Sequence, residues 1–67
     1  MSMSPDVMRT GHKYRLINLG DVFEFRVLSF KGEQDFVLQD LHTLEKYRLS
    51  DLIKYGKGKD YVLEEWE

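Results

Sequence analysis

Two stretches of this sequence alternate apolar and polar residues with the two-residue period of a β-strand, which restricts the chain to a sheet-based fold. In "DVFEFRVLSF" (21–30), Phe25 and Val27 share one parity, and "DFVLQD" (35–40) resumes the alternation after a break at Gly32. A glycine-containing break between two such runs is typical of a tight turn. We therefore expect two antiparallel strands joined as a hairpin.

The register of this hairpin is restricted by the need to place apolar residues on one face, because a one-residue slip would turn every side chain over. Placing Val27 opposite Leu38 satisfies this need. The further pairs in this register are Arg26 with Gln39 and Ser29 with Phe36.

A second hairpin is predicted around the loop "LHTL" (41–44). Setting Leu38 opposite Tyr47 brings apolar residues together on the same face as before. The further pairs are Phe36 with Leu49, Gln39 with Lys46 and Val37 with Arg48. Since both registers agree on the middle strand, we expect one shared core that contains Phe25, Val27, Phe36, Leu38, Tyr47 and Leu49.

Three residues around this loop resemble a metal or catalytic cluster, namely Asp40, His42 and Glu45. An aspartate at the start of a turn accepts a hydrogen bond from the backbone N–H two residues on, which is a sufficient role for Asp40. One histidine with two loop carboxylates is a thin ligand set for a metal. The sequence predicts a turn here, with no metal and no cofactor.

The rest of the chain supplies the outer elements of the domain. Residues 1–13 are polar and without periodicity and are predicted to be a disordered leader, so the domain is expected to span 14–67. Residues 14–20 predict a brief first strand. Residues 50–59 predict one helical turn, with Ser50 or Asp51 as N-cap and Gly56 at its C-terminal end. Residues 60–66 predict a last strand, with Tyr61, Leu63 and Trp66 towards the core.

This succession of elements predicts an all-β fold and resembles the SH3-like small barrels, with about five strands and one helical turn before the last strand. The resemblance covers Tyr14 to Trp66. The stretch "GDVFEFRVLSF…DFVLQD…EKYRLSDLIKYG" also resembles S1-like domains of the OB fold. The loop "LHTL" lacks the glycine usual there, and an OB barrel needs two further strands where this chain offers one, so a truncated OB fold is the alternative.

Composition limits the classes of partner. The chain has 67 residues, no cysteine, 10 Lys and Arg, and 12 Asp and Glu, giving a net charge of −2. No apolar run approaches the roughly 18 residues of a membrane span, and the N-terminus lacks the apolar centre of a signal peptide. We expect a cytoplasmic protein without a membrane partner, in which any binding of nucleic acid depends on a local basic patch.

No pattern predicts an enzyme. Ser29 is expected in a strand and Ser50 at a helix cap, so no serine is expected beside an oriented histidine. The stretch "GKGKD" (56–60) lacks the spacing of a phosphate-binding loop and is expected to follow a helical turn instead of opening a helix.

The predicted registers place a basic and partly aromatic set on the sheet face opposite the core: Arg26, Leu28, Phe30, Val37, Gln39, Lys46 and Arg48. Cations that hold phosphates and rings that stack on bases are what single-stranded nucleic acid requires. We therefore predict a non-catalytic module that binds RNA or single-stranded DNA through Arg26, Phe30, Gln39, Lys46 and Arg48.

Two alternatives remain open at this stage. In a strongly bent barrel, the apolar members of this face would belong to the second half of the core and leave only solvated charges outside. The alternative function is a protein-interaction or assembly module that pairs through an exposed edge strand or through a patch of Tyr61 and Trp66. The sequence does not indicate the oligomeric state.

Overall fold

A single antiparallel sheet of five strands organises the part of the chain that the computed structural model describes, residues 3–32 and 35–66. The strands are β1 (Lys13–Asn18), β2 (Asp21–Lys31), β3 (Asp35–Asp40), β4 (Lys46–Arg48) and β5 (Val62–Glu65). A 3₁₀ turn (Pro5–Val7) precedes β1, and a short helix, α1 (Leu49–Leu52), connects β4 to β5. The strand order is β4-β3-β2-β1-β5, so the last strand lies beside the first.

The hairpin of β2 and β3 has the predicted register only over its first half. Val27 lies opposite Leu38 as expected, but an irregularity follows, so that Ser29 lies opposite Val37 and Phe30 opposite Phe36. The predicted pair of Ser29 with Phe36 was therefore wrong, because a β-bulge inserts one extra residue and reverses the parity beyond it. The predicted turn at 31–34 lies partly outside the described residues, which omit 33 and 34.

The hairpin of β3 and β4 confirms the predicted register. Leu38 lies opposite Tyr47, and the neighbouring pairs are Gln39 with Lys46 and Val37 with Arg48. Leu49 is not paired with Phe36, because β4 ends at Arg48 and Leu49 begins α1. Leu49 is nevertheless buried in the core, as predicted.

The core lies on one face of the sheet, here called the inner face. Its buried apolar residues are Met8, Tyr14, Leu16, Phe25, Val27, Phe36, Leu38, Leu49 and Leu63. Met8 belongs to the segment that the sequence analysis set outside the fold, and for this residue that was wrong. The segment is also bonded to the sheet, since the Met3 N–H donates to the Leu63 carbonyl at 2.7 Å and the Gly11 N–H to the Val27 carbonyl at 2.7 Å.

The connection from α1 to β5 is held by Asn18, a buried polar residue at the end of β1. Its amide nitrogen donates to the carbonyls of Leu52 (3.4 Å) and Gly56 (3.0 Å), and its amide oxygen accepts the Gly58 N–H at 2.7 Å. A β-carbon at Gly58 would stand 2.6 Å from a Leu19 methyl carbon and 2.9 Å from an Asp60 carboxylate oxygen, so a larger residue here would displace these two side chains. The buried Asn18 amide thus holds the connection between α1 and β5, which has no regular secondary structure.

Two carboxylates cap the N-terminal end of helix α1, one from β3 and one from the helix itself. The Asp35 carboxylate accepts the Ser50 N–H at 3.1 Å and the Ser50 hydroxyl at 2.8 Å, while Asp51 accepts the Arg48 N–H at 3.1 Å. The predicted N-cap at Ser50 or Asp51 was wrong, since the helix begins at Leu49. No helix within the described ranges is long and apolar enough to cross a membrane.

Candidate nucleic-acid interface

The sheet face opposite the core, here called the outer face, has a row of polar side chains that crosses four strands. Lys13 lies opposite Arg26, Arg26 opposite Gln39, and Gln39 opposite Lys46. Because neighbouring strands lie about 4.8 Å apart, the row extends over about 14 Å. We call these residues the basic row: Lys13, Arg26, Gln39 and Lys46.

Four of the five predicted site residues lie on the outer face. Arg26, Gln39 and Lys46 belong to the basic row, and Arg48 is the next outward residue of β4, opposite Val37. Phe30 does not join them, because the bulge in β2 turns it to the inner side, where its ring centroid lies 5.1 Å from that of Phe36. The prediction that these five residues share one face was therefore wrong for Phe30.

Sequence reasoning missed two cations of this face, Lys13 and Arg15. Lys13 had been assigned to the leader, and Arg15 belongs to a strand whose partner the sequence did not reveal. The strand period is the signal that would have found them, since Tyr14, Leu16 and Asn18 are buried and the residues between them point outward.

Two carboxylates lie opposite Arg15, Glu24 from β2 and Glu64 from β5, and a third, Asp35, has the outward parity of Val37 on β3 and lies near Arg48. Glu24 contacts the His42 Nε2 at 2.5 Å and accepts the Arg15 Nε–H at 3.2 Å. The bond to His42 and then the bond to Arg15 lower the pKa of Glu24, and the bond to Glu24 raises the pKa of His42. The outward cations of β1, β2 and β4 outnumber these carboxylates: they are Lys13, Arg15, Arg26, Lys46 and Arg48.

Trp66 lies at the β5 end of the basic row. Its backbone N–H donates to the Lys13 carbonyl at 2.8 Å. Its ring centroid lies 5.9 Å from the Lys13 Nζ and 5.7 Å from the Arg15 Cζ. The prediction of Trp66 in the core was wrong, because it has the outward parity of Glu64. Tyr61 packs against the core instead, so the two aromatic residues do not form one patch.

A cleft of about 340 Å³ opens beside this ring and is here called the Trp66 cleft. It is lined by Gly11, His12, Lys13, Glu65 and Trp66. The His12 Nδ1 lies 3.0 Å from a Glu65 carboxylate oxygen. Arg26 of the basic row reaches the rim, where its Nη1 donates to the Gly11 carbonyl at 3.4 Å.

The loop between β3 and β4 confirms the turn role predicted for Asp40. One carboxylate oxygen accepts the backbone N–H groups of His42 at 2.8 Å and Thr43 at 3.0 Å, and the other accepts the Tyr47 hydroxyl at 3.1 Å. The bonds from Thr43 and His42 lower the pKa of Asp40. Across residues 3–32 and 35–66, no three His, Cys, Asp or Glu side chains are grouped to hold a metal ion.

A second cleft, of about 380 Å³, lies on the inner side at the far end of β2 and is here called the Phe30 cleft. It is lined by Pro5, Phe30, Phe36, Leu49, Ile53 and Lys57, among others. The Phe30 side chain remains 59% exposed although it contacts Phe36. This cleft is mostly apolar, whereas the basic row is charged.

Comparison of the chain with protein-family models, with curated proteins and with solved structures gives no match.

Proposed function

We propose that this chain is a non-catalytic module that binds single-stranded nucleic acid, RNA or DNA, across its outer face. The observation that carries the proposal is the basic row, in which cross-strand register sets Lys13, Arg26 and Lys46 in line, with Arg48 beside them. Aligned cations suit the regularly spaced phosphates of a strand. Trp66, at the end of the row, adds a ring on which a base can stack.

The charge distribution supports a local site of this kind. The whole chain carries a net charge of −2, so its overall field does not attract polyanions. Of the outer-face carboxylates, Glu24 is already bonded to Arg15 and His42. The ion pairs of the described residues do not include Lys13, Arg26 or Lys46, so these cations remain available to phosphates.

We propose further that the sheet closes as an SH3-like barrel. The support is the strand order β4-β3-β2-β1-β5, the short helix before the last strand and the bulge that bends β2. The position of β5 beside β1 favours this barrel over the truncated OB fold. Closure leaves the outer face convex and accessible.

The experiment is a titration of labelled single-stranded oligonucleotides at several salt concentrations. Phosphate contacts from Arg26, Lys46 and Arg48 imply a log–log salt slope of about −2, and a fourth from Lys13 steepens it to about −3, at roughly −0.7 per contact. Arg48→Ala should reduce the slope by about 0.7 and weaken binding to all sequences alike.

The matched control is Lys54→Ala, which removes the same charge from an exposed residue outside the sheet that contacts the Tyr55 ring. This variant should bind like the parent, with the same salt slope. Equal losses in Arg48→Ala and Lys54→Ala would contradict the proposed site, because they would indicate general electrostatic attraction.

A second candidate function is docking of a protein segment in the Phe30 cleft, favoured by the exposed ring of Phe30 beside apolar neighbours. A module of this type would show no binding of single strands at low salt. That result would retire the nucleic-acid proposal in favour of this candidate.

A further inference from the structure

We propose that the Trp66 cleft holds one unpaired nucleobase that carries an exocyclic amino group, stacked on Trp66 and hydrogen-bonded to Glu65. This inference rests on the proposed function and adds a base-binding cleft at the β5 end of the outer face. Glu65, opposite the buried Tyr14, and Trp66, of the opposite parity, both line this cleft. Phe30, the ring that the sequence suggested for stacking, lies on the other side of the sheet.

The indole ring of Trp66 lies where a base can stack on it. The backbone of Trp66 is fixed to β1 by its bond to the Lys13 carbonyl, and the ring lines an open cleft. The side chains of Lys13 and Arg15 lie within 6 Å of the ring centroid, at 5.9 and 5.7 Å. A base on this ring would have its own phosphates close to both cations, so stacking and charge pairing act together.

Glu65 determines which bases the cleft favours. Its side chain is 41% exposed and lines the cleft, and its contact with His12 uses one acceptor position. An ionised carboxylate has about four such positions and donates nothing. Cytosine, adenine and guanine offer exocyclic N–H donors, whereas uracil and thymine place a carbonyl oxygen where cytosine has its amino group. Glu65 therefore favours amino bases and repels that carbonyl.

The cleft is continuous with the basic row. Lys13 belongs to both, and Arg26 reaches the Gly11 carbonyl at the rim of the cleft. A strand that places one base on Trp66 can therefore continue over Arg26, Gln39 and Lys46. The Phe30 cleft differs in this respect, because the residues that line it do not include any member of the basic row.

The experiment uses two readouts on the full chain. Trp66 is the only tryptophan in the sequence, so its fluorescence reports contact with a base directly. Oligo(dC) and oligo(dU) of equal length are the matched probes, because their bases have the same ring size and differ in the amino group. We expect oligo(dC) to quench Trp66 and to bind about tenfold more tightly than oligo(dU), the size of one charged hydrogen bond.

The variants separate stacking from base choice. Trp66→Ala should weaken oligo(dC) binding roughly 5- to 150-fold without changing the salt slope, since stacking releases no counterions. Trp66→Phe should retain most of the affinity. Glu65→Gln keeps the side-chain size but adds an N–H donor, so the preference for oligo(dC) should fall towards equal binding.

The outcomes distinguish this inference from the proposed function. If Trp66→Ala and Trp66→Phe bind like the parent while Arg48→Ala lowers the salt slope, the inference fails and the proposed function stands. Equal binding of oligo(dC) and oligo(dU) by the parent would overturn the base choice. If no oligonucleotide binds at low salt, both fail. Thermal melting of Trp66→Ala checks its folding. If that variant unfolds, the fluorescence of the parent decides, because saturation with oligo(dC) without quenching of Trp66 would overturn the stacking.

Discussion

The two faces of this sheet differ in what their side chains contribute. The inner face packs Phe25, Val27 and Leu38 into a core that excludes solvent, whereas the outer face displays Arg26 and Lys46 in one line. Burial of apolar area stabilises a fold, and exposed charges contribute little to it. Residues that stabilise the fold and residues proposed to bind nucleic acid therefore alternate along the same strands. Substitutions on one face should change stability, and substitutions on the other should change binding.

The largest effect is expected from Phe36→Ala on the inner face. Phe36 is 4% exposed, and its truncation should cost about 3 to 5 kcal/mol of unfolding free energy, close to the whole stability of a domain this small. The matched control is its contact partner Phe30, whose truncation should cost far less because 59% of the side chain is exposed. Chemical denaturation measures both, and equal losses would mean that the bulge and register of β2 are wrong.

A somewhat smaller loss is expected from Asn18→Ala. The change removes a buried amide that bonds Leu52, Gly56 and Gly58 and should cost about 2 to 3 kcal/mol, since buried polar groups lose their partners. Hydrogen exchange should show faster exchange of the Gly58 amide, which donates to Asn18. A denaturation midpoint equal to that of the parent would show that Asn18 does not hold this connection.

A small and pH-dependent effect is expected from the contact of His42 with Glu24. The raised pKa of His42 contributes stability below its ordinary value of 6.5, and this is lost as pH rises through the folded pKa. The lowered pKa of Glu24 contributes above its ordinary value of 4.5, and this is lost as pH falls through the folded pKa.

The melting temperatures of the parent and His42→Gln should therefore differ most near pH 5.5, between the two ordinary values, and converge as pH rises through the raised pKa of His42. Thr43→Ala, next to His42 in the same loop, should not reproduce this pH dependence. A difference that grows with rising pH would contradict the assigned contact.

The smallest effect on stability is expected from Arg26→Ala and Lys46→Ala on the outer face. Exposed substitutions of this kind usually change the unfolding free energy by no more than about 0.5 kcal/mol. Both variants should nevertheless bind single strands more weakly than the parent. A large loss of stability in either variant would contradict the view that outer-face residues contribute little to the fold.

The alternation of residues was enough to predict much of the fold. It assigned the inner parity of Phe25, Val27 and Leu38, and the agreement of two hairpins at Leu38 fixed the register of β3 with β4. These features are local, because strand parity and turn length determine them.

The features that sequence reasoning missed depend on tertiary contacts. The bulge in β2 has no marker such as a glycine, yet it moves Phe30 to the other side. Trp66 was expected towards the core together with Tyr61 and Leu63, although it has the outward parity of Glu64 on β5. Met8 and Asn18 find their partners in segments far along the chain, which no period in the sequence reveals.

The most direct test of the account is a map of backbone amide NMR shifts during titration with a single-stranded oligonucleotide at low salt. We expect the largest shifts on the outer face, at Lys13, Arg26, Gln39 and Lys46, and unchanged shifts at Phe36 and Leu49 beside the Phe30 cleft. Shifts confined to the Phe30 cleft, or no shifts at all, would contradict it.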